Sequence, residues 1–325
     1  MRPWALRAAL ALLLVQCGGG GSANSDDSLP LPDRLDPIDG GRLDASRPSP
    51  PADSAVDASP SCDVSKPFGA PIRLAELSAT AHRSTPRLSA DELTIYFTTA
   101  GMGTGADLSM VLRPTKNAPF GGEKVLPQSS VANDNDPSVG ADHLSLWFHS
   151  DRNGSADIFA ATRSMVGVPF GVAAPVAAVN LPAPSNEAHA YLRANELWFV
   201  SDRPGGVPYD IFVSVRSGSV FGAPTRVTEL NSTANDFQPQ PSEDGLTVVF
   251  ASDRAGGLGK TDLWIAKRLS PTGPFAAPTP ITELNSPHVE SAGWLSADRC
   301  RIWFGSGRNT NDVNQQLFFA ERPRL

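Results

Sequence analysis

The sequence predicts an all-β fold, a five-bladed β-propeller with four-stranded blades. The first observation is a phenylalanine closing a β-branched and aromatic run, as Phe97, Phe148, Phe199, Phe250 and Phe304, at intervals of 51, 51, 51 and 54 residues. The second is a pair of markers in phase with it. One is an aromatic near "PFG" or "VFG" (Phe68, Phe120, Phe170, Phe221, Phe275); the other is a run such as "ADLS", "ADIFAA", "YDIFVS" or "TDLWIA". Fixed periods of this size mark repeat architectures. The third is composition: 30 Pro and 28 Gly in 325 residues, only 19% charged residues, and no window with the 3.6-residue apolar period of an amphipathic helix.

Each repeat divides into four strand candidates separated by turns. The first leads into a Ser-x-Asp turn, as at Ser89–Asp91 and Ser242–Gly245. The second ends just after the marker phenylalanine. The third follows a glycine-bearing loop and opens at the aspartate. The fourth follows "PFG". The chain starts its repeats with a lone fourth strand, Pro67–Leu74, and ends them on a third strand, Gln316–Arg322. The N-terminal strand is therefore expected to complete the last blade, which closes the ring and leaves no free sheet edge.

The stretch "NDFQPQPSEDGLTVVFASDRAGGLGKTDLWIA" (Asn235–Ala266) resembles the WD-like propeller repeat of the periplasmic protein TolB and of many exported bacterial proteins. The resemblance runs from about Lys66 to Arg322. It implies a propeller of the cell envelope. TolB itself has six blades, and a sixth unit is not present here. The first repeat lacks the motif's arginine, and the last has Gln316 where the others open their third strand with Asp.

Ser150-Asp151-Arg152 recurs as Ser201-Asp202-Arg203 and Ser252-Asp253-Arg254. A catalytic site is asymmetric, with one nucleophile and one base, so a motif copied from blade to blade reads as structural. The arginine offers a planar fork of donors. Its expected partners are the downstream acids, Asp157 for Arg152, Asp210 for Arg203 and Asp262 for Arg254.

Ahead of the repeats, residues 1–17 read as a signal peptide. Arg2 and Arg7 precede an apolar run, Ala8–Val15, too short to span a bilayer. The ending "LLVQC" resembles a lipoprotein lipobox, with Gln16 where Gly, Ala or Ser is usual. That resemblance implies lipidation of Cys17 and a location in the bacterial cell envelope, on the periplasmic side of the outer membrane or at the cell surface; without lipidation the protein is secreted. Residues 18–61, rich in Gly, Ser, Pro, Ala and Asp, read as a disordered linker, and residues 62–325 as the propeller. The whole chain carries −7, of which −4 belongs to residues 62–325. No basic cluster is present, so nucleic acid is not an expected partner, and membrane attachment rests on lipid alone.

Cys62 and Cys300 are placed by the topology at the same face of the last blade, and a disulfide between them is expected; the alternative is two unpaired thiols. The inter-blade loops carry acids at matching places, Asp134, Glu187, Asp236 and Glu290, with His189 and His288 beside two of them and His82-Arg83 in the first blade. Strand parity sets these loops on the Ser-x-Arg face, opposite the tether. They are read either as a ring at the channel mouth for a cationic partner, or as acceptors for loop amides and the blade arginines. The functional expectation is a monomeric, non-catalytic binding scaffold for a protein or a cell-envelope glycan, with no cofactor and no resident metal. The alternative is a glycosidase-like hydrolase acting on polysaccharide, which requires carboxylates placed asymmetrically in the channel. Motifs such as G-x-S-x-G and H-E-x-x-H are absent.

Overall fold

A computed structural model describes residues 62–77, 80–100, 105–203 and 209–325. Cys17, the leader and the linker lie outside the described residues. The strands form five antiparallel sheets. Blade one runs Arg83–Leu88, Thr94–Ala100, Ala106–Leu112 and Gly121–Val125. Blade two runs Asp134–Val139, Ser145–Ser150, Asp157–Thr162 and Ala174–Pro175. Blade three holds Glu187–Arg193, Glu196–Ser201, Asp210–Ser217 and Thr225–Arg226, plus a small hairpin strand at Val220–Phe221. Blade four runs Asp236–Pro241, Thr247–Ser252, Asp262–Lys267 and Thr279–Pro280. No described residue is helical. The fold is the five-bladed, four-stranded propeller that the repeat period predicts.

Blade five takes Glu290–Leu295, Arg301–Ser306 and Gln316–Glu321 from the C-terminal end and its outer strand, Ile72–Arg73, from the N-terminal end. Ile72 pairs with Phe319 and Arg73 with Phe318. The seam is reinforced by Cys62, bonded to Cys300 with a Cα–Cα separation of 5.6 Å, and by a bridge from Cys62 to Arg324. The five marker phenylalanines are fully buried. Apolar clusters fill the gaps between adjacent sheets; one unites Leu88, Ile95 and Phe97 of blade one with Trp294, Trp303 and Leu317 of blade five. Burial of this kind is the main favourable term in folding.

The innermost strand of every blade is bulged. The register slips between Ser84 and Arg87, Asn135 and Ser138, Ala188 and Tyr191, Phe237 and Gln240, and Ala292 and Trp294. In four blades the residue after the slip begins has a positive φ: Thr85 (52°), Asp136 (54°), His189 (55°) and Gln238 (53°). Side chains rarely adopt this conformation, and its recurrence makes the bulge a built feature of the ring. In blade five the bulge contains Gly293, where an added Cβ would meet the Trp303 carbonyl oxygen at 2.0 Å.

Because the disulfide ties the two ends of the ring across a sequence separation of 238 residues, Cys300→Ser should destabilise the domain by about 2–5 kcal/mol. Chemical denaturation under non-reducing conditions measures this. Equal midpoints for the variant and the native protein would show that the seam holds without the bridge.

Candidate functional site

The Ser-x-Arg motif builds a knot at the top of blades two to five, the face of the inter-blade loops. In blade two, Arg152 Nε donates to Ser150 Oγ at 2.9 Å, and its terminal nitrogen donates to the Gln128 carbonyl at 2.8 Å and to Asp134 at 2.5 Å. In blade three Arg203 does the same with Ser201, the Val179 carbonyl (2.9 Å) and Glu187 (3.3 Å). Arg254 takes Ser252, the Leu230 carbonyl and Asp236; Arg308 takes Ser306, the Leu284 carbonyl and Glu290. Each guanidinium also lies against two rings, as Arg203 does at 5.2 Å from Phe199 and 4.7 Å from Phe212. The acids accept further bonds. Asp134 receives the Ser130 amide at 2.6 Å, Glu187 the Leu181 amide at 2.9 Å and Asp236 the Ser232 amide at 2.7 Å.

One sequence expectation is corrected here, and one choice between two readings is made. Arg152, Arg203 and Arg254 do not pair with Asp157, Asp210 and Asp262. The ladder sets the loop acid and the third-strand aspartate on opposite sides of the same serine: Asp134 faces Ser150, which faces Asp157. The guanidinium turns toward the loop acid. Asp157 accepts instead from Asn153, Asp210 from Arg226 at 2.8 Å, and Asp262 from the Gly259 amide. Second, of the two readings of Asp134, Glu187, Asp236 and Glu290, the structure takes the one in which they accept from loop amides and the blade arginines, not the open ring at the channel mouth. All four have 0% exposure, because the carboxylate that neutralises the blade arginine must lie beneath the loop the arginine holds. Burial pushes the Glu290 carboxyl above its ordinary range.

Blade one departs from the pattern in charge. Arg83 stands where the others carry the acid, opposite Thr99 in place of serine, and its guanidinium pairs with Glu123 at 2.6 Å. A second arginine repeat went unrecognised in the sequence. Arg113, Arg163 and Arg268 each lie 4.4 Å over the "PFG" phenylalanine (Phe120, Phe170, Phe275), and Arg322 lies 3.8 Å over Phe68. The signal was present: an arginine directly after the third strand in blades one, two, four and five, and in blades one, two and four seven residues before the phenylalanine.

The middle aspartate of the motif has its own task. Asp151 Oδ1 accepts the Asn133 amide at 2.8 Å and Oδ2 the Asn133 side chain at 2.6 Å. Asp202 holds Asn186 and Asp253 holds Asn235 in the same way. These aspartates are partly or fully exposed and mark the rim of the top face.

The channel itself breaks the symmetry. The first strands of neighbouring blades touch one another around the centre, and their bulged residues turn inward. Bulge amides reach the preceding blade: the Asp136 amide donates to Thr98 Oγ1 at 2.8 Å, the Thr85 amide to Ser291 Oγ at 3.3 Å and the Ala292 amide to Gln238 Oε1 at 2.8 Å. At the junction of blades two and three these positions hold Asp136 and His189, beside His149 of blade two's second strand. His149 Nδ1 lies 3.3 Å from Asp136 Oδ2, and His189 Nδ1 meets the same oxygen. The two imidazoles are 5.1 Å apart, edge to face, and Phe237 packs on His189 at 5.8 Å. Burial lowers the His149 pKa to about 4 despite the opposing pull of Asp136. The Asp136 carboxyl is held well below its usual range: burial opposes ionisation, and the two imidazoles with a hydrogen bond from Thr85 outweigh it.

Deeper in the channel lies Arg87, with 1% exposure. It donates to the Gln240 side chain and the Gly293 carbonyl and sits 5.3 Å over the Tyr191 ring. Burial pulls its pKa down to about 10. Below it is a cavity of about 40 Å³ walled by Leu88, Val139, Tyr191, Pro241 and Trp294. A larger hollow, about 350 Å³, opens elsewhere, between the chain around Phe68 and the outer edge of blade four; its charged lining residues, Lys66, Lys267, Glu283 and Arg322, include no histidine–carboxylate group.

No protein-family model and no curated protein matches the sequence. Solved structures do match. The chain is similar to Zg3597, a family 117 glycoside hydrolase from Zobellia galactanivorans, with 9% identity and a TM-score of 0.53, covering 80% of this chain and 91% of that one. It is similar to an α-L-arabinofuranosidase from Lactobacillus brevis, with 12% identity and a TM-score of 0.52, covering 77% and 94%. A putative TolB from Agrobacterium tumefaciens aligns at 15% identity and a TM-score of 0.42, covering 71% and 72%. The class defined by the fold is the five-bladed β-propeller. At these identities the likeness is one of fold.

Removing the arginine from one knot leaves a buried acid without its counter-charge. Arg203→Ala should therefore cost about 3–5 kcal/mol, read as a fall in the denaturation midpoint. Adding Glu187→Gln should recover part of the loss. A double variant no more stable than Arg203→Ala would show that the Glu187 pairing is not the source.

His82 is held neutral by burial, so its pKa lies below the ordinary 6.5, and its Nδ1 accepts the Gln315 amide at 3.2 Å. Between the lowered folded value and 6.5 the unfolded chain binds the proton and the folded one does not. Its stabilising contribution is complete above pH 6.5 and is lost as pH falls below it. His82→Asn keeps an acceptor at that place, and its melting temperature should fall less between pH 7 and pH 5 than that of the native protein. Parallel curves would remove His82 from the acid response.

Proposed function

We propose that the propeller is a non-catalytic binding module of the cell envelope, taking a protein or glycan partner on the top face. One observation carries the reading. The inner strands bear five carboxylates, Asp134, Asp136, Glu187, Asp236 and Glu290, and four of them are buried in the arginine knots. Asp136 alone turns into the channel. Glycoside hydrolysis commonly needs a pair, about 5–5.5 Å or 6.5–9.5 Å apart across the scissile bond. The glycosidase reading draws on the shared fold with Zg3597 and the arabinofuranosidase, and a fold hosts many functions. The disulfide favours an oxidising compartment, in keeping with an exported protein tethered through Cys17. The exposed rim, with Asp151, Asp202 and Asp253, favours a cationic partner and binding that weakens with salt.

Purified protein incubated with arabinan, xylan and nitrophenyl glycosides should release no product. Hydrolysis abolished by Asp136→Asn would overturn the non-catalytic reading. In a fractionated host, Cys17→Ser should shift the protein from the membrane to the soluble fraction; an unchanged distribution would remove the lipid tether.

A further inference from the structure

We propose that Asp136, His149 and His189 form a divalent transition-metal site, with zinc as the reference ion, at the upper end of the channel. The inference does not rest on the binding-module reading.

The donor atoms already converge. A ring nitrogen of His149, a ring nitrogen of His189 and a carboxylate oxygen of Asp136 all lie within 4.8 Å of one another. Tetrahedral zinc with bonds of about 2.0–2.2 Å sets its ligands roughly 3.3 Å apart, the separation found between His149 Nδ1 and Asp136 Oδ2 (3.3 Å). The electron pairs point the right way. His149 Nδ1 accepts the His189 amide at 3.4 Å, so it is not donating to Asp136; a lone pair and an anionic oxygen face each other. That amide contact is at the weak end of hydrogen-bond length.

The repeat supplies an internal control. At the bulge position of Asp136 and His189 the other blades carry Thr85, Gln238 and Ala292. At the second-strand position of His149 they carry Thr98, Val200, Ala251 and Gly305. Threonine, glutamine, valine and alanine all satisfy the architecture. Nothing in blade geometry asks for two imidazoles and a carboxylate at one junction, yet they meet there from two strands of blade two and one of blade three.

The donor set selects the ion. Two imidazole nitrogens and one carboxylate oxygen suit zinc and its first-row neighbours. Calcium and magnesium favour shells made of oxygen. Three protein ligands leave one position for water or for a donor group of whatever occupies the channel. Both imidazoles retain some exposure, 12% for the His149 side chain and 16% for that of His189, so an ion can reach them.

The neighbouring blades also choose the variants. His149→Thr copies Thr98 and His189→Gln copies Gln238, replacements the ring already tolerates. Full-length protein is stripped with a chelator and titrated with zinc chloride by calorimetry. One ion per chain is expected, with affinity lowered about tenfold or more in each variant. Cobalt loading of the unaltered protein gives a second readout, visible absorption bands from nitrogen and oxygen ligation that zinc displaces. Folded native protein that takes up neither metal would overturn the proposal, as would His149→Thr and His189→Gln variants that bind zinc as tightly as the native chain.

Discussion

The ring depends on a buried ion pair between each Ser-x-Arg arginine and the acid that opens the same blade's first strand. A propeller blade is a small sheet whose strands are joined by loops at its two ends, and the loop to the next blade has no strand partner of its own. The arginine supplies one. Its three groups of contacts join the inter-blade loop, the first strand and the second strand, and its flat face covers two core rings. Buried ion pairs often contribute little net stability compared with apolar replacements. Their value here is positional. A carboxylate with 0% exposure tolerates no partner but the guanidinium and the donors around it, so the pairing fixes where each blade begins relative to the last.

The same constraint explains what was and was not legible in the sequence. The period, the four-strand unit and the closing N-terminal strand follow from spacing alone, because a blade's length in residues is set by its strands and turns. The arginine's partner does not follow from spacing. Asp134 and Asp157 both sit beside Ser150 across the ladder, one on each side, and only the direction of the side chain after the turn distinguishes them. The carboxylate ring failed for a related reason: strand parity places a residue on a face, but whether it is reachable depends on the loop folded over it. The channel trio was hidden by the bulge. Regular alternation gives no reason for Asp136 and His189, in different repeats, to aim at one point; a positive φ at both does.

Repetition and function divide the chain between them along this line. Positions that repeat, the arginines, their acids, the marker phenylalanines and the asparagine-holding aspartates, are occupied by the work of closing each blade. Blade one shows how far that work can be altered, with Arg83 in the acid's place and Glu123 as its counter-charge. Positions that do not repeat sit at the bulges, where the backbone contacts between blades are already made by amides and whatever acceptor is at hand. Thr98, Ser291 and Gln238 serve equally there.

That freedom concentrates chemistry in the channel. The bulge turns one side chain per blade toward the axis, the closed ring shields it from bulk water on all sides but the mouth, and the core beneath holds the strands in place. A charged group there is costly to bury unless something compensates it. Asp136 is compensated by His189, an imidazole that the repeat does not require, and Arg87 by a glutamine, a carbonyl and the face of Tyr191. Two opposite charges in successive layers of one narrow channel stabilise each other and polarise the space between them, so a ligand entering from the top meets the Asp136 layer before the Arg87 layer. An occupant that is cationic at its leading end, or a metal ion, suits the first layer; anionic character suits the second. The asymmetry of these two layers, set on a scaffold of repeated blades, gives the channel a direction and sets one junction among five apart from the rest in its chemistry.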